Sequence, residues 1–155
     1  MSKLIMCRGI PGSGKSYWAN QEAESDPNVL IVTLDDIRDQ YGSTQGGYSH
    51  STEYYANAEM RSRIREGLKA GKTVISADTN LTSYHEYRMR ELAKKYHAQF
   101  IIKEFDTPIE TCIERDALRT NHRHVGPDKI QYYAAVLKGF KNSQGLDNEN
   151  QETQW

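Results

Sequence analysis

Gly9-Ile10-Pro11-Gly12-Ser13-Gly14-Lys15-Ser16 decides the fold. The segment fits GxxxxGK[ST], a phosphate-binding loop. An apolar run, residues 3–7, leads into it and reads as a first strand. A helix is expected over 15–25, so the motif sits between strand and helix, the context it needs. Gly9, Pro11, Gly12, Ser13 and Gly14 let the backbone turn its N–H groups toward phosphate oxygens. The helix N-terminus adds a positive dipole end. Lys15 reaches the β- and γ-phosphates of a nucleoside triphosphate, and the Ser16 hydroxyl can ligate Mg²⁺.

Working outward, strand and helix alternate. Strands are expected at 29–33, 73–77 and 98–105, and helices at 35–41, 52–70, 83–96, 107–118 and 128–140. Ser83–Glu86 and Thr107–Glu110 have capping-box form, the second with Pro108 at the first helical position. The pattern predicts an α/β, P-loop NTPase fold: a four-stranded parallel sheet, helices on both faces, and a helical lid. Ligands then belong beyond the carboxyl ends of the strands.

Two strand ends carry polar clusters there. After the second strand stands Leu34-Asp35-Asp36-Ile37-Arg38. Asp35 can accept the proton of an attacking hydroxyl, or cap the short helix. Arg38, three residues on, shares its helix face and can hold an anionic group of the acceptor. Asp36 reads as a cap or a solvated face. After the third strand come Asp78, Thr79 and Asn80, candidates for the acceptor site. Asp78 also stands where a carboxylate acts near Mg²⁺ or its waters. Arg115 and Arg119, four apart on one helix face, read as a lid over ATP or as a solvated basic face paired with Glu114 and Asp116. Arg123 takes no assigned role, and His122 and His124 read as exposed or phosphate-facing. Tyr48, in the glycine-rich stretch 42–50, could stack on an acceptor base or anchor its loop.

Composition bounds the rest. The chain has 155 residues and a net charge of −1, from 20 basic and 21 acidic side chains. That is one domain's worth, with no room for a second module. The sequence from Asn142 to Trp155 has no Lys or Arg and three of the acids, so the body before it carries about +2. The division expected is a kinase domain over 1–141 and an acidic, disordered tail over 142–155. No apolar run approaches the ~20 residues of a transmembrane helix, so no membrane partner is expected. Cys7 and Cys112 match no metal or disulfide spacing and read as buried, reduced thiols of a cytoplasmic protein.

GIPGSGKSYWA at 9–19, LDDIR at 34–38, SADTN at 76–80 and the Arg115/Arg119 helix together resemble the 5′-kinase module of phage polynucleotide kinase–phosphatases. The match runs over about residues 1–140. The resemblance implies ATP- and Mg²⁺-dependent phosphorylation of the 5′-OH of DNA or RNA, single strands included, in end repair. It implies Lys15 and Ser16 on the nucleotide phosphates and Asp35 as general base. Arg38 would hold the phosphate beside the acceptor nucleoside, and Arg119, with Arg115, would act from the lid. It also implies a ligase downstream and, for a phage protein, the host cytoplasm. No DxDGT motif of the usual 3′-phosphatase half occurs. The alternative readings are a small-molecule or toxin-type P-loop kinase acting on a nucleotide, sugar or antibiotic, and a non-catalytic nucleotide-binding adaptor.

Overall fold

The computed structural model describes residues 1–40 and 50–152, with side chains described over 1–40 and 52–142. Tyr48 and the glycine-rich stretch therefore lie outside the described residues. Ten elements follow in order: β1 (Lys3–Arg8), α1 (Lys15–Ser25), β2 (Val29–Val32), α2 (Leu34–Gln40), α3 (His50–Lys69), β3 (Thr73–Ser76), α4 (Ser83–Lys95), β4 (Gln99–Glu104), α5 (Ile109–Ala117) and α6 (Pro127–Glu152). The four strands form one parallel sheet in the order β2-β3-β1-β4. Lys3 is in register with both Thr73 and Gln99. The expected α/β fold is present.

The strands lie in the middle because both of their faces are apolar, as buried parallel strands require. Leu4, Met6, Val32 and Val74 point to one side and pack with Ile64 and Leu68 of α3 and Met89 of α4. Cys7 and Ile75 point to the other and pack with Ala19 and Trp18 of α1. Each fully buried Leu, Ile or Met contributes about 1.5–3 kcal/mol. A third cluster joins Ile10, Cys112 of α5 and Ile130 of α6, and so seats the phosphate loop on the lid helices. Burial pushes the Cys7 thiol up to about 12, and Cys7 and Cys112 are both buried and unbridged, in line with the thiol reading.

Three local expectations shift. The Thr82 hydroxyl, one residue ahead of Ser83, caps α4 by accepting the His85 N–H, and Glu86 turns to Arg8 instead. At α5 the N-cap is Pro108, with no side-chain cap; Thr107 donates its hydroxyl to the Ser13 carbonyl at 2.8 Å. The helix expected to end at Phe140 runs on to Glu152, into the stretch read as a disordered tail, where no proline interrupts it. No helix among the described residues is long and apolar enough to cross a membrane.

Candidate active site

All the clustered polar residues stand at the carboxyl edge of the sheet. β1 and β3 are neighbours whose onward connections run opposite ways, β1 to β2 and β3 to β4, so a crevice opens at that switch point. The phosphate loop fills the crevice. Gly12 (φ +84) and Gly14 (φ +102) are left-handed, and Gly14 is the N-cap of α1 without any side-chain cap. The first N–H groups of α1 thus have no capping side chain, and its first turn holds no acid. That is the arrangement an anion needs. A Cβ on Gly12 would come within 2.6 Å of the Cys112 carbonyl oxygen, so loop and lid helix pack backbone to backbone.

Lys15 lies folded under this loop. Its Nζ donates to the carbonyls of Gly9 at 2.9 Å and Ile10 at 2.8 Å, and to Ser13 Oγ at 3.3 Å. Burial lowers its pKa to about 8, despite the nearby Asp78 carboxylate. Ser16 is exposed at the start of α1. Arg115 Nη1 donates to the Gly12 carbonyl at 3.2 Å, so this lid arginine straps the loop itself. The Gly9 N–H donates to the Thr79 carbonyl, tying the ends of β1 and β3 together.

On the acceptor side, the Thr33 hydroxyl accepts the Asp36 N–H at 3.1 Å and so caps α2. Neither Asp35 nor Asp36 supplies that bond. Asp35 is left 55% exposed and accepts from Arg38 Nη1 at 3.1 Å. Arg38 is gripped in turn by Glu53 of α3, through Nε to Oε1 at 2.7 Å and Nη2 to Oε2 at 2.9 Å.

Asp78 accepts the Leu34 N–H through Oδ1 at 3.0 Å. Its Oδ2 is enclosed with no hydrogen-bond partner. Burial raises its pKa to about 6; Asp35 adds to the rise, while Arg38 and Lys15 oppose it. Asp78 therefore sits within electrostatic reach of all three. Asn80 (φ +50) faces inward: its amide donates to the Cys7 and Asp78 carbonyls, and its own carbonyl accepts from the buried Arg8. It holds strand ends together and also lines a cavity with Asp78 and Thr79.

The lid turn is pinned across the crevice. Arg123 Nη2 donates to Asp36 at 2.8 Å and Asp39 at 2.7 Å, and His122 meets Asp39 at 3.0 Å. The Arg123 bond, helped by His122, holds the Asp39 carboxyl below its usual range. His122 is exposed, as one of its two readings had it, and pairs with a carboxylate of α2. Arg119 Nη1 donates to the Arg123 carbonyl and lies 3.5 Å from Asp116. Asp116 is buried and accepts the N–H groups of Val125 and Gly126 at 2.9 and 2.8 Å. Burial pushes its carboxyl up, but those two bonds, with His124 and Arg119, hold it below normal.

Sequence reading missed Glu53, Thr33 and the Asp36/Asp39–Arg123 latch, which hold the candidate site residues and the lid turn in place. Arg8 had a signal: an arginine closing an apolar strand must be paired, and it is, to Glu86 at 2.9 Å.

Among the described residues no group of three acids, histidines or cysteines could hold a metal alone. Mg²⁺ fits differently: it keeps several waters and takes one or two protein oxygens plus phosphates. The Ser16 hydroxyl and the unpartnered Asp78 Oδ2 are such oxygens.

Comparison with known proteins places this geometry. The AAA domain family matches residues 4–144. Human NEDD4-binding protein 2 is 30% identical over 107 residues, covering 67% of this chain and 6% of that protein. A putative bifunctional polynucleotide kinase/RNA ligase of Autographa californica nuclear polyhedrosis virus is 25% identical over 150 residues, 88% of this chain and 21% of that protein. A chain in the structure of the Pnkp1/Rnl/Hen1 RNA repair complex superposes with a TM-score of 0.77 at 26% identity, covering 92% of this chain and 46% of that one. The chain thus spans less than half the length of each of these relatives.

Proposed function

The chain belongs to the AAA domain family and has the P-loop kinase fold, and from that premise we propose that it is an ATP-dependent polynucleotide 5′-hydroxyl kinase. The observation that carries the reading is the Asp35–Arg38–Glu53 relay, whose Asp35 and Arg38 act on Asp78 together with Lys15 of the phosphate loop. Thr33 does the capping, so Asp35 keeps an exposed carboxylate beside a fixed guanidinium. The names of the viral relative and of the RNA repair complex support a polynucleotide as acceptor.

In this reading the 5′-OH oxygen of DNA or RNA attacks the γ-phosphorus. A new O–P bond forms, the bond from the γ-phosphorus to the β–γ bridging oxygen breaks, and ADP departs. Asp35 takes the hydroxyl proton. Lys15 and the N–H groups of the loop hold the β- and γ-phosphates, and Arg119 joins them when the lid turn closes on ATP. Arg38 binds the phosphate beside the terminal nucleoside, with its fork already aimed by Glu53. Asp78 fixes the start of α2 and, with Thr79, borders the acceptor; Asn80 positions that wall. Mg²⁺, held by Ser16 and through water by Asp78, neutralises phosphate charge when bound. The catalytic unit is residues 1–141. Its 5′-phosphate product is what a strand-joining reaction consumes, which makes a ligase the expected partner.

The test is ADP formation from ATP. An oligonucleotide with a 5′-OH end should stimulate it, and the same strand already carrying a 5′-phosphate should not. Stimulation by small sugars or nucleosides alone would redirect the assignment to a small-molecule kinase.

A further inference from the structure

A cavity of about 230 Å³ opens next to the proposed acceptor site. Leu34 and Asp78 form its inner wall, the same pair joined by the Leu34 N–H to Asp78 bond. Met60 of α3, His85 of α4, and Tyr132 and Tyr133 of α6 close the other sides. Pockets for drug-sized ligands run about 300–1,000 Å³, so this one suits a single small ring system. Its lining joins aromatic, aliphatic and thioether surface to polar groups of Asp78, Thr79, Asn80, Thr82 and His85, so a flat heterocycle meets packing for its faces and partners for its edge. Tyr132 and Tyr133 stand edge to face at 5.8 Å. Burial, with the nearby Arg61 charge, lowers the His85 pKa, so its ring is uncharged at neutral pH. Asp78 and Thr79, which border the proposed acceptor, also line this cavity, so it opens directly off that site.

The surface next to the lining residue His85 suits a polyanion. Tyr84 is 60% exposed and stands edge-on to His85 at 6.0 Å, with the Arg88 guanidinium 5.7 Å from its ring centre. Tyr132 is 65% exposed. Exposed rings interleaved with arginine are what a single strand uses for stacking and phosphate contact.

We propose that this cavity holds the nucleobase of the terminal 5′-OH nucleotide, and that the strand leaves over Tyr84 and Arg88. The proposal rests on the kinase reading and names the acceptor subsite within it. It explains how a compact chain selects a nucleotide end: the base docks between Tyr133 and His85 and carries its 5′-OH toward Asp35.

The experiment compares two single-stranded acceptors, identical except that one has an abasic sugar at its 5′-OH terminus. The full chain should use the base-bearing strand with a kcat/KM larger by about 5–150-fold, the range that stacking one base supplies. Tyr133→Ala, and Tyr132→Ala as the exposed and structurally mild variant, should pull that ratio toward one. As a readout independent of turnover, a strand ending in 2-aminopurine should lose fluorescence on binding, and less so with either variant. Equal use of both acceptors by the unaltered chain would overturn the pocket and leave the kinase reading standing. Failure to phosphorylate either strand would overturn both.

Discussion

Glu53 holds Arg38 in a two-pronged grip, with Nε to Oε1 at 2.7 Å and Nη2 to Oε2 at 2.9 Å. The two side chains are 21% and 29% exposed, so water screens the pair only in part. Bonds to charged groups in such settings are worth about 1.5–3 kcal/mol, well above the 0–1 of a solvated surface pair. The grip leaves Arg38 Nη1 to reach Asp35, so one carboxylate on α3 sets the aim of two residues on α2.

Glu53→Ala should therefore act on the acceptor. The KM for a 5′-OH oligonucleotide should rise roughly tenfold, about 1.4 kcal/mol, while the KM for ATP stays put. Glu53→Gln, which keeps one oxygen acceptor, should fall between. Equal loss on both substrates in steady-state kinetics would show that Glu53 supports the fold and not the aim of Arg38.

Asp35→Asn removes the proposed proton acceptor without uncapping α2, because Thr33 supplies that cap. The rate should drop ~10²–10⁴-fold with ATP affinity nearly unchanged. Turnover within a few-fold of normal would mean that another group takes the proton.

Gly12→Ala forces a side chain onto a φ of +84 and a Cβ to 2.6 Å from the Cys112 carbonyl oxygen. Backbone atoms on both sides must move, at about 1–3 kcal/mol. The urea midpoint should fall accordingly and ATP binding should weaken with it. An unchanged midpoint would contradict the backbone contact between loop and lid helix.

Lys15 carries the pH signature. Burial sets its pKa at about 8 before nucleotide arrives. Phosphate favours the charged ammonium and raises that value. Above pH 8, nucleotide binding should thus take up a fraction of a proton, and affinity should fall as pH climbs. Titration calorimetry at pH 8.5 in two buffers of different ionisation heat reads the uptake directly. Lys15→Met should abolish it; an uptake that survives the substitution would place the titrating group elsewhere.

The legible features are the local ones. The phosphate loop, the strand–helix alternation and the placing of Asp35, Arg38 and Asp78 at strand ends follow from short spacings, and a parallel sheet brings strand ends together by topology. Partners across space leave no such mark. Glu53 meets Arg38 across 15 positions of sequence, and Arg123 meets Asp36 and Asp39 across 87 and 84. Caps slipped by one residue, from Ser83 to Thr82, because adjacent hydroxyls compete for one N–H and only backbone angles decide. The structural bonds of Asn80 are not legible either: it reaches the Cys7 carbonyl across 73 positions and Arg8 across 72.

The central claim is that the γ-phosphate of ATP moves to a 5′-hydroxyl at the Asp35–Arg38 face of the crevice. The most direct measurement gives the protein γ-labelled ATP, Mg²⁺ and an oligonucleotide with hydroxyls at both ends, then locates the label. The account predicts label on the 5′ terminal oxygen alone, removable by a phosphatase and absent from a strand already 5′-phosphorylated. Label at the 3′ end, or none on the strand while ADP accumulates, would contradict it.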